Sequence, residues 1–178
     1  MAQIEDGKGS GNRAQVSAEN QLSVAAVTVS ELEHESEAHG TSYRWSTDIV
    51  SVDANDTVFL LKNTSDTHLH VDSVSIANGS TASEYTIHLP TTEVTPTGAT
   101  VTGTNLNTSS SNVADADAKA DETNNTQGNV IGTVWLAVDR NQNIPTPGLI
   151  LGKNKSIAVD VVATVTETAV TISGHYES

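Results

Sequence analysis

From Thr41 onward apolar residues recur at nearly every second position, and short clusters of turn-forming residues break the runs. Ile49, Val50 and Val52, then Val58 to Leu61, then Leu69, Val71, Val74 and Ile76, then Tyr85, Ile87 and Leu89 make a first series. Asp53 to Asp56, Asn63 to Asp66 and Ala77 to Ser80 punctuate it. Successive side chains of a β-strand point to opposite faces, so a period of two with turns every ~8–12 residues predicts half-buried antiparallel strands stacked in layers. A second series repeats the pattern over Ile131 to Val138, Leu149 to Leu151, Ile157 to Val162 and Ala169 to Tyr176. The expected fold is all-β, an antiparallel β-sandwich over residues 41–178.

Composition limits what such a sandwich can do. Hydrophobic residues make up 36% of the 178 and aromatics 3%, so the core must be built from Val, Ile, Leu and Ala. A core that thin gains from burial against partners, and self-association is expected. A net charge of −14 excludes nucleic acid and anionic membrane as partners, because phosphate contacts need Lys and Arg. With no cysteine there are no disulfides, thiolate metal sites or cysteine nucleophiles. The polar, glycine-rich start offers no secretory signal, and no apolar run of about 18 residues occurs to span a membrane. The chain is expected to be made in a cytoplasm and to stay soluble.

Residues 1–40 read as an extended N-terminal arm and linker. Gly7 to Asn12 is glycine-rich, Arg13 to Ser17 and Gln21 to Val24 alternate as short extended segments, and the acidic piece Glu31 to His39 has too few apolar positions to bury a helix. Within the sandwich, 105–128 is a long polar excursion. Its middle, Val113 to Ala120, alternates alanine with charge, and the period of two favours a small edge strand over the helix that alanine prefers.

Chemistry-bearing groupings are few. His68 and His70 lie two apart, the spacing a metal-ligand pair on a strand can use, but no third ligand is identifiable. His34 and His39 sit in a segment read as a linker, which lacks the rigid surroundings a metal site needs. Asp115, Asp117, Asp121 and Glu122 lack the central glycine and terminal Glu of a calcium loop. No nucleophile elbow, phosphate-binding loop or His-Glu-x-x-His occurs. The chain is therefore expected to be no enzyme and to need no cofactor or metal. Of its tryptophans, Trp135 lies in the apolar run Val134-Trp135-Leu136 and is assigned to the core; Trp45, between Arg44 and Ser46, is the expected exposed, interfacial ring.

The opening Asp6-Gly7-Lys8-Gly9-Ser10-Gly11, followed by Ala14-Gln15-Val16 and Asn20-Gln21-Leu22-Ser23-Val24, resembles the start of virion structural proteins of tailed phages. Phe59 to Thr64, Gly103 to Asn107, Gly148 to Lys153 and the ending Ile172 to Glu177 are similar to recurrent pieces of the same proteins. The resemblance implies a jelly-roll-like sandwich on or near the capsid surface, commonly a homotrimer, with no catalysis. On that reading the chain is a capsid decoration or cement protein of a bacteriophage virion. Its partners are the major capsid protein and neighbouring copies of itself. Ile4, Val16, Leu22 and Val24 are the expected arm contacts, since apolar side chains have little reason to exist in a solvated tail. The alternative is a tail- or fibre-associated receptor- or carbohydrate-binding module, with the 105–128 excursion or Trp45 supplying contacts.

Overall fold

The computed structural model describes residues 3–5, 13–16, 22–23, 31–123 and 128–177. The chain divides into two units, Met1–Ser30 and Glu31–Ser178. In the first, β1 (Gln3–Glu5), β2 (Arg13–Val16) and β3 (Leu22–Ser23) form an antiparallel sheet in that order. Residues expected to run as an extended arm thus pair with each other locally, since an extended segment carries a full edge of unpaired donors and acceptors.

The second unit opens with α1 (Glu31–His34), which runs directly into a π-helical turn, Glu35–His39. Gly40 ends the turn at φ 63°, and its N–H donates to the carbonyl of Ser36 at 3.2 Å. The segment read as a linker up to residue 40 is therefore part of the β-domain. What sequence periodicity could not show is that polar side chains, not an apolar stripe, hold it there. Asn107 donates to the carbonyl of Ser36 at 2.9 Å, Asn112 to that of His39 at 3.1 Å and Asn105 to that of Gly40 at 2.9 Å. A Cβ on Gly40 would lie 2.5 Å from Ser110 Oγ, in a backbone region that L residues enter at a cost. Gly40→Ala is expected to lower unfolding free energy by about 1–3 kcal/mol; an unchanged urea midpoint would refute this.

The remaining strands are β4 (Ser42–Ser46), β5 (Val50–Val52), β6 (Thr57–Asn63), β7 (Leu69–Asn78), β8 (Ser83–Leu89), β9 (Ala99–Thr100), β10 (Thr104–Asn105), β11 (Ala116–Glu122), β12 (Asn129–Leu136), β13 (Arg140–Leu151), β14 (Ser156–Val161) and β15 (Val165–Tyr176). They form two antiparallel sheets. One has the order β10-β4-β15-β7-β13, with β5 also on β15; the other runs β12-β8-β14-β6-β11-β9. β8 pairs with β12, β7 with β13, β6 with β14 and β4 with β15. That nesting is a long hairpin rolled on itself, the jelly-roll arrangement.

Alternation builds the core. Trp45, Val74, Ile76, Val170 and Ile172 of the first sheet form one cluster with Phe59, Leu61, Tyr85, Ile87 and Val159 of the second. β6 is buried on both faces. Its Leu60 packs with Val94 and Ala158, and Lys62 Nζ donates to the carbonyl of Val94 at 3.0 Å and to Glu93 at 2.8 Å.

The tryptophans exchange their expected places. Trp45 is 0% exposed and Trp135 67% exposed. In β4, Tyr43 and Trp45 face the core while Arg44 and Ser46 face outward; in β12, Leu136 turns inward and Trp135 outward. Trp45 therefore cannot serve as an exposed interface.

The polar excursion is also less solvated than expected. β11 lies within it and pairs with β6, burying Ala118, Ala120 and Glu122. Glu122 tolerates burial because its carboxylate accepts the N–H groups of Thr97 and Gly98 and the hydroxyl of Thr97. β10 lies against β4, so the connection from β8 to β12 extends both sheets on the side of β4 and β6.

Candidate functional site

That asymmetry defines the candidate site. With one pair of sheet edges covered by β9, β10 and β11, the opposite pair is left as terminal strands: β12 in one sheet and β13 in the other. An uncovered edge presents unpaired backbone donors and acceptors, which natural sequences usually shield with charge. Here there is little. Between Asn129 and Leu151 the charged residues are Asp139 and Arg140, so the segment is neutral within a chain of net charge −14.

The same segment holds five of the eight large apolar residues that are exposed among those described. These are Val130, Ile131, Trp135, Val138 and Ile150; the others are Ile49, Val113 and Val162. A cleft of about 290 Å³ opens beside them, lined by Ile131, Ile144 and Leu149 among others. It forms where β13 slips register against β7 between Pro145 and Leu149, with Gly148 at φ 78°. Pro145 and Pro147 lack an N–H, so this stretch of β13 resists strand addition; β12 carries no proline and keeps its donors. The edge can therefore pair through β12 and pack side chains along β13.

Of the arm residues singled out from sequence, Ile4 lies opposite Ala14, and Val16 lies opposite Leu22. Val24 lies outside the described residues.

The histidines are distributed over three places. His68 Nδ1 and His70 Nε2 approach the Glu177 carboxylate at 3.6 and 3.8 Å, and His70 stacks on His175 with ring centroids 4.9 Å apart. His175 Nδ1 lies 3.1 Å from Asp72. His88, which sequence reasoning passed over, is buried: its Nε2 lies 2.8 Å from Asp160, and its Nδ1 accepts the N–H of Gly128 at 3.0 Å. The Thr57 hydroxyl donates to the other Asp160 oxygen at 2.6 Å. Threonine, aspartate and histidine are thus adjacent, with the Asp160 carboxylate lying between the hydroxyl and the imidazole. The signal for this group was present in the alternation, since His88 and Asp160 occupy the strand face opposite Ile87 and Val159. His34 and His39 form the third place, across the π turn.

The Asp115 to Glu122 carboxylates do not converge. Asp115 accepts from Thr64, Asp117 pairs with Lys119, and Glu122 is turned toward Thr97. Elsewhere, burial pushes the phenols of Tyr43 and Tyr176 above their ordinary pKa, with the Asp115 charge adding to the shift of Tyr176, so both stay neutral at physiological pH. Comparison with protein-family models, with curated proteins and with solved structures finds no match to this chain.

Proposed function

We propose that this chain is a non-enzymatic structural protein of a tailed-phage particle, a capsid decoration or cement protein that acts as a homo-oligomer on the shell. The carrying observation is the pair of uncovered sheet edges, β12 and β13, apolar and neutral on an otherwise strongly acidic molecule. Copies of a −14 chain repel one another, so a surface for self-association must be one where the charge is absent. The occupant is a second copy, arranged around a closed symmetry axis, a trimer on the expectation from the sequence. The N-terminal unit supplies the contact to the major capsid protein. Closed symmetry also disposes of the edge strands, which otherwise risk open-ended aggregation.

A second reading keeps the exposed indole of Trp135 as a stacking platform for a sugar on a tail or fibre. The other exposed residues of the segment favour protein contact: the side chains of Val130, Ile131 and Val138 offer a sugar no hydrogen bonds.

Sedimentation of the full chain tests the reading. The wild type is expected to sediment as a trimer, more tightly as salt screens the repulsion between copies. Trp135→Glu should sediment as a monomer while keeping the circular dichroism of the wild type, since the side chain is exposed on each subunit. A monomeric wild type at all salt concentrations would remove the assembly reading and bring the sugar-binding one forward.

A further inference from the structure

We infer that His34, Glu35 and His39 form a binding site for one divalent transition-metal ion of zinc-like chemistry, contrary to the expectation of no metal. The inference rests on the start of the β-domain alone and stands whether or not the assembly reading holds.

The geometry comes from the π turn. On an α-helix, residues five apart diverge by ~140° around the axis and cannot share a ligand. A turn closed by i→i+5 hydrogen bonds is wider and brings them onto the same side, and such turns recur at functional sites. His34 is the residue from which the π turn departs and His39 its last residue. Their rings stand edge to face with centroids 5.5 Å apart. One ligand atom from each of His34, Glu35 and His39 lies within 4.8 Å of the other two. Around a tetrahedral zinc with bonds of about 2.1 Å, ligand atoms sit ~3.4 Å apart, so modest side-chain rotation closes the set.

Rigidity is supplied by the surroundings. Glu35 is buried, and its Oε2 accepts the Thr41 hydroxyl at 2.9 Å, which orients the carboxylate. The carbonyls of Ser36, His39 and Gly40 are held by Asn107, Asn112 and Asn105. The turn is thereby clamped to the sandwich before any ion arrives, so little ordering entropy opposes binding. Two imidazoles and one carboxylate suit Zn²⁺, Co²⁺ or Ni²⁺ and not the oxygen-seeking Ca²⁺ or Mg²⁺. With three protein ligands a fourth position stays open to water. The His34 and His39 side chains are exposed, so the ion has an entry path.

Bound metal would tie α1 to the π turn, fixing the residues that follow directly on the N-terminal unit in the chain. The rival location is the Glu177 carboxylate with His68 and His70, where the two nitrogens approach the same oxygen at 3.6 and 3.8 Å. The test must separate the two.

Calorimetric titration of the full chain, stripped with a chelator, with Zn²⁺ is expected to show one equivalent. Co²⁺ should give the intense visible bands of a four-coordinate site. His39→Gln and His34→Gln should each weaken binding more than tenfold and abolish the cobalt bands, with circular dichroism unchanged because both side chains are exposed. His70→Gln should leave affinity and spectrum as in the wild type. Absence of binding, binding indifferent to His39→Gln, or binding lost in His70→Gln would each overturn the assignment.

Discussion

Asp160→Ala is expected to lower the unfolding free energy by about 3–5 kcal/mol, among the largest effects of any single change in this chain. The three partners come from adjacent strands of one sheet: Thr57 from β6, Asp160 from β14 and His88 from β8. All three are buried. Gly128 N–H occupies Nδ1 of His88, which leaves the Nε2 proton to be donated to Asp160. Truncating the carboxylate removes an acceptor for that proton and for the Thr57 hydroxyl together, at a site buried from solvent. Asp160→Asn keeps the volume and one carbonyl acceptor, and should lose only about 1–3 kcal/mol. A double cycle with His88→Ala separates the pair from its context, because coupled partners are non-additive. Urea midpoints give all four values. If Asp160→Ala and Asp160→Asn cost the same, the bonds to Thr57 and His88 do not carry the effect.

The same group shows where sequence reasoning stops. The alternation around Ile87 and Val159 marks one face of each strand as core, and the usual inference sends the other face to solvent. In this sandwich the central strands β6 and β14 are buried on both faces, because residues near Val94 fold back over the outside of the sheet. Strand existence was therefore legible nearly throughout, while the burial of the second face was not, since it depends on where a polar connection returns. The excursion at 105–128 illustrates the converse. Its strand, β11, was read from an alternation of alanine with charge. Its asparagines gave no sign of purpose until the turn they hold was visible. Asn105, Asn107 and Asn112 look like solvated loop residues in the sequence and are caps in the structure. The edge at β12 and β13 was likewise hidden, because which strands end a sheet is a property of topology and not of any local run.

The two tryptophans give the sharpest contrast, and the second large effect. Trp45→Ala is expected to cost about 3–5 kcal/mol, the range for deleting a large aromatic from a packed core. Its indole lies beside Tyr43 with centroids 5.8 Å apart, and Tyr43 in turn meets Tyr176 edge to face at 5.7 Å. A Cβ on Gly103 would fall 2.4 Å from Trp45 Nε1, so the chain has given up a side chain there to make room for the ring. The cavity left by alanine cannot easily collapse, because strands hold its walls on both sides. At roughly 2–4 °C per kcal/mol for a chain of this size, the melting temperature should fall by on the order of 10 °C. Trp135→Ala, by contrast, should leave the fold of the dissociated subunit within ~0.5 kcal/mol of wild type. At both tryptophans the polarity of the immediate neighbours misleads, and the period of two decides. Arg44 and Ser46 made Trp45 look exposed, and Val134 and Leu136 made Trp135 look buried, although in a strand the neighbours at i±1 lie on the opposite face. Fluorescence decides the matter without loss of stability. Trp135→Phe leaves Trp45 as the one emitter, which should be blue-shifted and hard to quench with acrylamide. Emission at the wavelength of hydrated indole would mean that Trp45 is not in the core, and the expected cost of its removal would fall with it.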